Sequence, residues 1–278
     1  MEAEPTVAYL GPVATFTHQA ARKAFGDGAR YVPAETIEGV FNMVKLGLAQ
    51  RGVVPVENSN EGAVTSTMDL LVESSLVIVG EVILPISLML LSRERVTAGI
   101  RTVYSHPQAL AQCRKWLTNN LPGAELVGTR STAEAAALCQ AEGGAAAVAG
   151  EMAGELYNLP VLERDIGDWE ENLTRFLIFS EESVPPSGSD KTSLVFSIKD
   201  RVGALYEMLK PFSENSINLT RIESRPSKKK AWDYLFFVDF DGHRDDRRVE
   251  ETLAKLSDLC MFVKVLGSYP KGTVENSG

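Results

Sequence analysis

Cysteine and histidine are both scarce in this chain: 278 residues contain three of each. Cys113, Cys139 and Cys260 lie far apart in apolar-periodic segments, which predicts reduced core thiols rather than a disulfide frame. His18, His106 and His243 share no spacing with cysteines or carboxylates that resembles a metal site. A Ser-His-Asp triad stays open on three histidines, but no nucleophile elbow is present. Phosphate loops are missing too. There is no Walker motif, and Gly26-Asp27-Gly28 lacks the third glycine and the preceding strand of a dinucleotide fingerprint. Nor is there a long apolar run. The most apolar stretch, 76–91, is interrupted by Glu81 and Pro85 and is too short to span a bilayer, so it predicts consecutive buried strands and no membrane association. Met1-Glu2-Ala3-Glu4-Pro5 has no apolar core of a signal peptide, and the expectation is a cytoplasmic protein without a secretory signal.

Positive charge is not in excess either. The net charge is −9. Residues 1–189 carry 13 basic against 23 acidic side chains, a balance of −10, and residues 190–278 carry 15 against 14, a balance of +1. An acidic first part argues against nucleic acid as a partner. Any anionic ligand must then be held by local groups rather than by the overall field.

What is present fits a soluble globular protein: 44% hydrophobic residues, a mean hydropathy of −0.05, and length for about two domains. Residues 6–10 read as a buried strand, Gly11-Pro12 as a turn, and Thr15-Phe16-Thr17-His18 as the start of a helix running toward Phe25. Helical spacing covers 36–48 through Ile37, Val40, Phe41, Val44 and Leu48. A strand at 53–56, a polar loop at 57–62 and a helix from near Thr65 follow. The alternation resumes with a strand ending at Val103-Tyr104 and a helix from Ser105-His106-Pro107-Gln108 through Leu117. A strand at Leu126-Val127, a helix opened by Ser131-Thr132-Ala133-Glu134, a small-residue strand at 145–149 and a helix from about Gly150 to Tyr157 complete it. Ser105 with Gln108, and Ser131 with Glu134, have capping-box spacing, and Pro107 suits a first turn. Such alternation predicts largely parallel sheets with ligands at the carboxyl ends of strands.

Pro185-Pro186-Ser187-Gly188-Ser189 reads as a linker. Beyond it come a strand at 194–198, a helix at 203–212, strands at 217–223 and 232–240, a helix at 249–256 and a strand at 261–266. That is βαββαβ, a ferredoxin-like order. Just before the linker, the polar and aromatic stretch 168–176 runs into the apolar strand Leu177-Ile178-Phe179, so Thr174, Arg175 and Phe176 sit where a loop becomes a strand. A hydroxyl, a fixed positive charge and an apolar ring together suit an anionic, partly apolar small molecule. Four other polar segments, 15–17, 57–62, 105–108 and 131–132, follow strands or open helices. Helix starts offer N–H groups and a positive dipole end to carboxylates, although ordinary capping explains any one of them equally well.

In order and at compatible spacing, these segments resemble the prephenate dehydratase family over nearly the whole chain: Gly11-Pro12…Thr15-Phe16-Thr17-His18, Pro55-Val56-Glu57-Asn58-Ser59, Ser105-His106-Pro107-Gln108, Ser131-Thr132 and Asn172-Leu173-Thr174-Arg175-Phe176. The last module resembles an ACT regulatory domain at Gly203-Ala204-Leu205-Tyr206 and Glu223-Ser224-Arg225-Pro226. Ala14 stands where the family often has Gly, and Tyr206 where Val or Phe is common. The resemblance implies an α/β fold: a two-lobed, periplasmic-binding-protein-like (type 2) catalytic domain at 1–184 with the site in the cleft, a linker at 185–190, a ferredoxin-like ACT domain at 191–270 and a tail at 271–278. The first lobe would take the start to about Val79 plus 175–180, and the second about Gly80 to Arg164. No chorismate mutase domain is expected ahead of the strand that begins at Thr6.

The implied activity is decarboxylating dehydration of prephenate to phenylpyruvate in L-phenylalanine biosynthesis, with no cofactor or metal. Arogenate dehydratase is the alternative, and a non-catalytic binding protein is the rival of another class. The candidate catalytic residues are Thr174, Arg175, Phe176 and Glu57. The candidate substrate contacts are Thr15, Asn58, Ser59, Ser105, His106, Gln108, Ser131 and Thr132. The family reading gives Thr174 the leaving-group role. An aliphatic hydroxyl is a poor acid, so Thr174 suits an oriented donor, with Glu57, His106 or a water supplying the proton. Arg175 suits a bidentate carboxylate pair or a loop buttress, and Phe176 suits either the substrate ring or the core. Phenylalanine, as feedback inhibitor, would bind at Gly203, Ala204, Leu205, Tyr206, Asn218, Glu223, Ser224, Arg225 and Pro226. The ACT resemblance also implies a homodimer or tetramer paired through that module.

Overall fold

Strand–helix alternation organises the computed structural model, which describes residues 4–169, 171–199, 201–227 and 234–273. Glu170 of the polar stretch, the first two positions of the strand expected at 232–240, and 274–278 of the expected tail lie outside the described residues. In chain order the elements are β1 (Thr6–Leu10), α1 (Phe16–Phe25), β2 (Arg30–Ala34), α2 (Ile37–Lys45), β3 (Arg51–Asn58), β4 (Gly62–Ala63), α3 (Thr65–Glu73) and β5 (Val77–Pro85). Next come β6 (Met89–Ser92), β7 (Thr102–Ser105), α4 (Pro107–Gln112), α5 (Arg114–Asn120), β8 (Glu125–Gly128), α6 (Thr132–Ala141), β9 (Ala145–Ala149), α7 (Glu151–Tyr157) and β10 (Val161–Glu163). The chain ends with β11 (Leu173–Ser180), β12 (Asp190–Ser197), α8 (Ala204–Glu214), β13 (Leu219–Pro226), β14 (Tyr234–Asp241), α9 (Arg247–Leu259) and β15 (Phe262–Pro270). No helix among the described residues is long and apolar enough to cross a membrane.

Three sheets result. The first has the order β2-β1-β3-β11-β5, with β4 folded back on β3. Its β1 runs parallel to both neighbours. The second has the order β10-β6-β9-β7-β8 and is mixed: β7 is parallel to β8 and β9, while β6 is antiparallel to β9 and β10. So the sheets are less uniformly parallel than alternation alone predicts. The changeover between lobes falls between Pro85 and Met89, because β5 stays in the first sheet to its end. β9 explains the alanine run at 145–149. Ala145, Ala147 and Ala149 face one apolar cluster with α6 and α7, whereas Ala146 and Val148 face the other with α4 and α5. A strand covered on both faces reads as continuous small apolar residues.

Local readings are corrected at three places. The helix expected from Ser105 through Leu117 breaks at Cys113 into α4 and α5, and the new start is held by Asp168, whose carboxylate accepts from the Lys115 and Trp116 amides (2.9 and 3.2 Å). Ser105 is not the cap. Its hydroxyl donates across the sheet to the Val148 carbonyl (2.6 Å), and His106 takes the cap position, Nδ1 accepting from the Gln108 amide. At α6, Ser131 does accept from the Glu134 amide (3.0 Å), but the Glu134 carboxylate reaches one residue further back, to the Arg130 N–H (2.8 Å). The 57–62 segment is a tight hairpin rather than a loop, since Glu57 pairs with Ala63 and Asn58 with Gly62.

The chain forms two compact units. One holds both α/β lobes, residues 4–65 and 82–176. The other joins 66–81 to 177–273, so β5 and β11 each pass from one unit into the other. In the second unit β13-β14-β12-β15 is fully antiparallel. One face of that sheet carries a core of Leu194, Phe196, Met208, Phe212, Val238, Phe240, Val249 and Leu256 under α8 and α9. The other face meets α3 and the start of β5. There Gly267 is required: a Cβ on it would stand 2.1 Å from the Ile78 carbonyl oxygen.

Candidate functional site

The carboxyl end of β3 and the start of β11 bring the central candidates together. The Asn58 amide donates to Thr174 Oγ1 (2.9 Å) and to Asn172 Oδ1 (2.8 Å). Its oxygen accepts from the backbone amides of Asn60 and Glu61, which fixes which end of the side chain donates. The chain of amides continues. Asn172 Nδ2 donates to Gln112 Oε1 (3.0 Å), and Gln112 Nε2 donates to the Glu61 carboxylate (2.8 Å). A carboxylate at one end and backbone N–H groups at the other leave every link a single direction. Because Thr174 Oγ1 accepts from Asn58, its own hydrogen is turned to donate elsewhere.

The neighbouring residues stiffen this arrangement. The Ser59 amide donates to the Leu173 carbonyl (2.8 Å), and the Leu173 amide donates to Ser59 Oγ (3.0 Å). Arg175, with 12% of its side chain exposed, lies 3.9 Å from Glu57 across the β3–β11 pair. Phe176 is 1% exposed and packs inward. Asn172, Gln112 and Glu61 were not among the sequence candidates. Asn172 stood inside the 172–176 motif, but Gln112 had no local signal beyond lying four residues, one helical turn, after Gln108.

The other expected contacts sit at helix starts. Thr15 caps α1, accepting from the His18 amide (3.3 Å). The loop before it reaches the second lobe: Ala14 belongs to the alanine-rich cluster of β9 and α7, and Phe16 crowds Gly150, the cap of α7. Parallel β7, β8 and β9 end together at Ser105, Gly128 and Ala149, so α4, α6 and α7 all begin on this edge. Ser131 and Thr132 are half-buried there, His106 is half-buried and Gln108 exposed. Ser105 is fully buried by its bond to Val148.

Ala14 adopts φ 65° in the left-handed region. That costs about 1–2 kcal/mol for a non-glycine residue. Its buried methyl returns roughly 0.8 kcal/mol, so the departure from glycine keeps a net cost of at most about 1 kcal/mol. His18 stacks on Tyr9 at 4.6 Å, and its Nδ1 accepts from the Ala14 amide. Burial, with the Arg22 charge behind it, lowers the His18 pKa, and burial lifts that of Tyr9 to about 12. This cluster is a neutral support for the α1 start. Burial also raises the thiols of Cys113 to about 12 and of Cys139 to about 11, which removes them as nucleophiles at neutral pH.

In the second unit the expected phenylalanine residues divide between two faces. Gly203, in the left-handed region, caps α8, followed by buried Ala204 and by Leu205 and Tyr206, which are exposed. Asn218 lies next to Asp241. On β13, Ser224 stands opposite Phe236 of the α8/α9 core, whereas Glu223 and Arg225 stand opposite Phe237 and Leu235 and turn to the other side. Glu223 pairs with Arg221 (2.6 Å), and Arg225 pairs with Asp69 of α3 (2.9 Å). Pro226, the last residue of β13, still stands in register with Tyr234.

Comparison with known proteins gives two family matches: prephenate dehydratase over residues 7–184 and the ACT domain over 192–258. The chain is 50% identical over 275 residues to the bifunctional chorismate mutase/prephenate dehydratase of Aquifex aeolicus, covering 99% of this chain and 76% of that one. It is 39% identical over 279 residues to arogenate dehydratase/prephenate dehydratase 2, chloroplastic, of Arabidopsis thaliana, covering 96% of this chain and 73% of that one. Among solved structures, prephenate dehydratase in complex with L-Phe from Arthrobacter aurescens matches with a TM-score of 0.85 and 36% identity, over 95% of this chain and 89% of that one.

Proposed function

The chain belongs to the prephenate dehydratase family and carries an ACT domain behind the catalytic part, and on that premise we propose that it converts prephenate to phenylpyruvate for phenylalanine synthesis. In that reaction the bond to the ring carboxylate breaks, CO2 leaves, and its electron pair enters the ring. The ring C–O bond breaks on the other side, and the departing oxygen takes up a proton to leave as water. Aromatisation drives the step, so the protein's task is to hold the dianion and stabilise the leaving oxygen.

The observation that carries this reading is the Asn58–Thr174 hydrogen bond. Asn58, held by the amide chain, presets the Thr174 hydroxyl as a donor to the leaving oxygen. The proton itself comes from a better acid: Glu57, His106 or a water. Arg175, steadied by Glu57, offers a positive charge to a substrate carboxylate. Neutral donors at the helix starts, Thr15, Ser131 and Thr132 with Asn58 and Ser59, hold the anions without raising the net charge of an acidic protein. Ser105 and Phe176 act from behind, as a cross-strand tie and as core.

Feedback inhibition by phenylalanine belongs to the ACT domain. Val202, Leu205, Tyr206 and Ile222 are exposed apolar residues on that module, and they support pairing of two copies there, as a homodimer or tetramer. The catalytic part is assigned to 1–184 and the regulatory part to 191–270. Free thiols at Cys113, Cys139 and Cys260 accord with a cytoplasmic location.

The test is turnover of purified protein on prephenate and on arogenate, side by side. Phenylpyruvate formation with the higher kcat/KM on prephenate is expected. A higher kcat/KM on arogenate makes the chain an arogenate dehydratase, and turnover of neither leaves only a binding cleft.

A further inference from the structure

Helix α3 leaves the candidate site at one end and is held by the regulatory sheet along its length. It starts at Thr65, two residues past the β4 strand that pairs with Glu57 and Asn58. From Ser66 onward it belongs to the unit that contains the ferredoxin-like sheet. Besides buried Met68 and Leu71, it is tied to that sheet by polar groups. Arg225 of β13 grips the Asp69 carboxylate with both terminal nitrogens, at 2.9 and 3.3 Å. Lys264 of β15 donates to the carbonyls of Leu71 (2.9 Å) and Val72 (3.0 Å) in the last turn of the helix, whose carbonyls lack intrahelical partners, and to that of Ser74 just past its end. Beside these ties lies a cavity of about 480 Å³, lined on the helix by Asp69, Val72 and Glu73 and on the sheet by Leu235, Tyr234 and Phe262. Thr67, Met68 and Leu71 are buried, so the helix is also seated by packing, while the cavity leaves room for a small adjustment at Asp69, Val72 and Glu73.

The geometry points to α3 as the transmitter of phenylalanine inhibition, with the Arg225–Asp69 pair as its coupling. This rests on the regulatory reading given above. Arg225 faces away from Ser224, so a ligand held on the α8 face of β13 does not need the Arg225 side chain. A change at that face instead moves β13, and Arg225 carries the movement to Asp69. A shift of α3 is then delivered through residues 63–65 to the β3–β4 hairpin. There Asn58 sets the Thr174 hydroxyl, so a displaced hairpin costs turnover rather than folding.

Asp69→Asn keeps the shape and removes the charge, and Asp69→Glu restores the charge at a slightly different reach. Each full-length variant is compared with the parent for turnover without phenylalanine, for the phenylalanine concentration giving half inhibition, and for phenylalanine Kd by calorimetry. For Asp69→Asn the expected result is unchanged basal turnover, a Kd within about twofold of the parent, and half inhibition displaced upward by about tenfold or more, the size of an ordinary allosteric coupling. Asp69→Glu regains part of the inhibition. Inhibition of Asp69→Asn at the parental concentration overturns the inference while leaving phenylalanine regulation intact. A Kd that weakens in step with inhibition also overturns it, because the pair would then be part of the binding site. A parent that neither binds phenylalanine nor is inhibited by it ends the regulatory reading and this inference together.

Discussion

The Thr174 hydroxyl accepts from a residue 116 positions away, which turns its own hydrogen elsewhere, and the proposed chemistry uses that direction. Thr174→Ala removes the donor and leaves a half-buried strand position filled, so the fold should survive. Its kcat should fall about 100-fold, the loss typical of one transition-state donor, while Thr174→Ser keeps more of the rate. Steady-state kinetics with circular dichroism checks both, and an Ala variant with parental kcat removes Thr174 from the chemistry. Thr174, Asn58 and Arg175 were legible in the sequence because polar residues at strand ends stand out against apolar runs. Gln112 and Glu61 were not. A glutamine in a short helix and a glutamate in a turn are ordinary there, and only the folded chain puts them on one amide chain with Asn172. Ser105 misled in the other direction: Ser-x-x-Gln spacing matched a cap, but the carbonyl of Val148 across the sheet was the nearer partner.

At the scale of elements, periodicity located most strands and helices. Besides the two-residue β4 it missed β2 and β10, and the cause is physical. β2 is an edge strand with only Ala34 buried, and it includes Pro33, so it lacks an apolar signature. β10 is three residues long. It also joined α4 to α5, because the break at Cys113 is stabilised by Asp168, some fifty positions later. The crossing of β15 over β5 was equally unreadable, since a glycine in a strand announces a close approach without naming the neighbour. Gly267→Ala puts a Cβ where the Ile78 peptide stands. Backbone has to give, so the expected loss is about 3 kcal/mol, the upper part of the range for overpacking. Denaturant unfolding should show it as a lower midpoint. An unchanged midpoint would mean that β15 and β5 separate freely.

For the whole molecule, exposed Val202, Leu205, Tyr206 and Ile222 lie at the start of α8 and on β13, the elements that carry most of the candidate phenylalanine residues. Substrate and inhibitor must oppose one another by the same factor in both directions if they share one equilibrium. The acidic balance of residues 1–189 is compatible with a dianionic substrate under the proposed function, in which neutral hydroxyls, amides and helix starts meet it with Arg175 as the local cation.

The second compact unit is assembled from two separate stretches of chain, and this limits how the protein can be taken apart. A gene cut at the linker yields a C-terminal piece without its α3 cover and an N-terminal piece in which Met68 and Ile78 lose Arg221 and Gly267. Residues 1–184 produced alone should therefore bind more of a hydrophobic dye and melt earlier than the full chain. A truncated protein with the parental melting point would contradict this. The regulatory module is thus no cassette: exchanging it between relatives transplants a sheet whose matching helix is encoded more than a hundred codons upstream. Chimeras should keep inhibition only when the two are inherited as a pair.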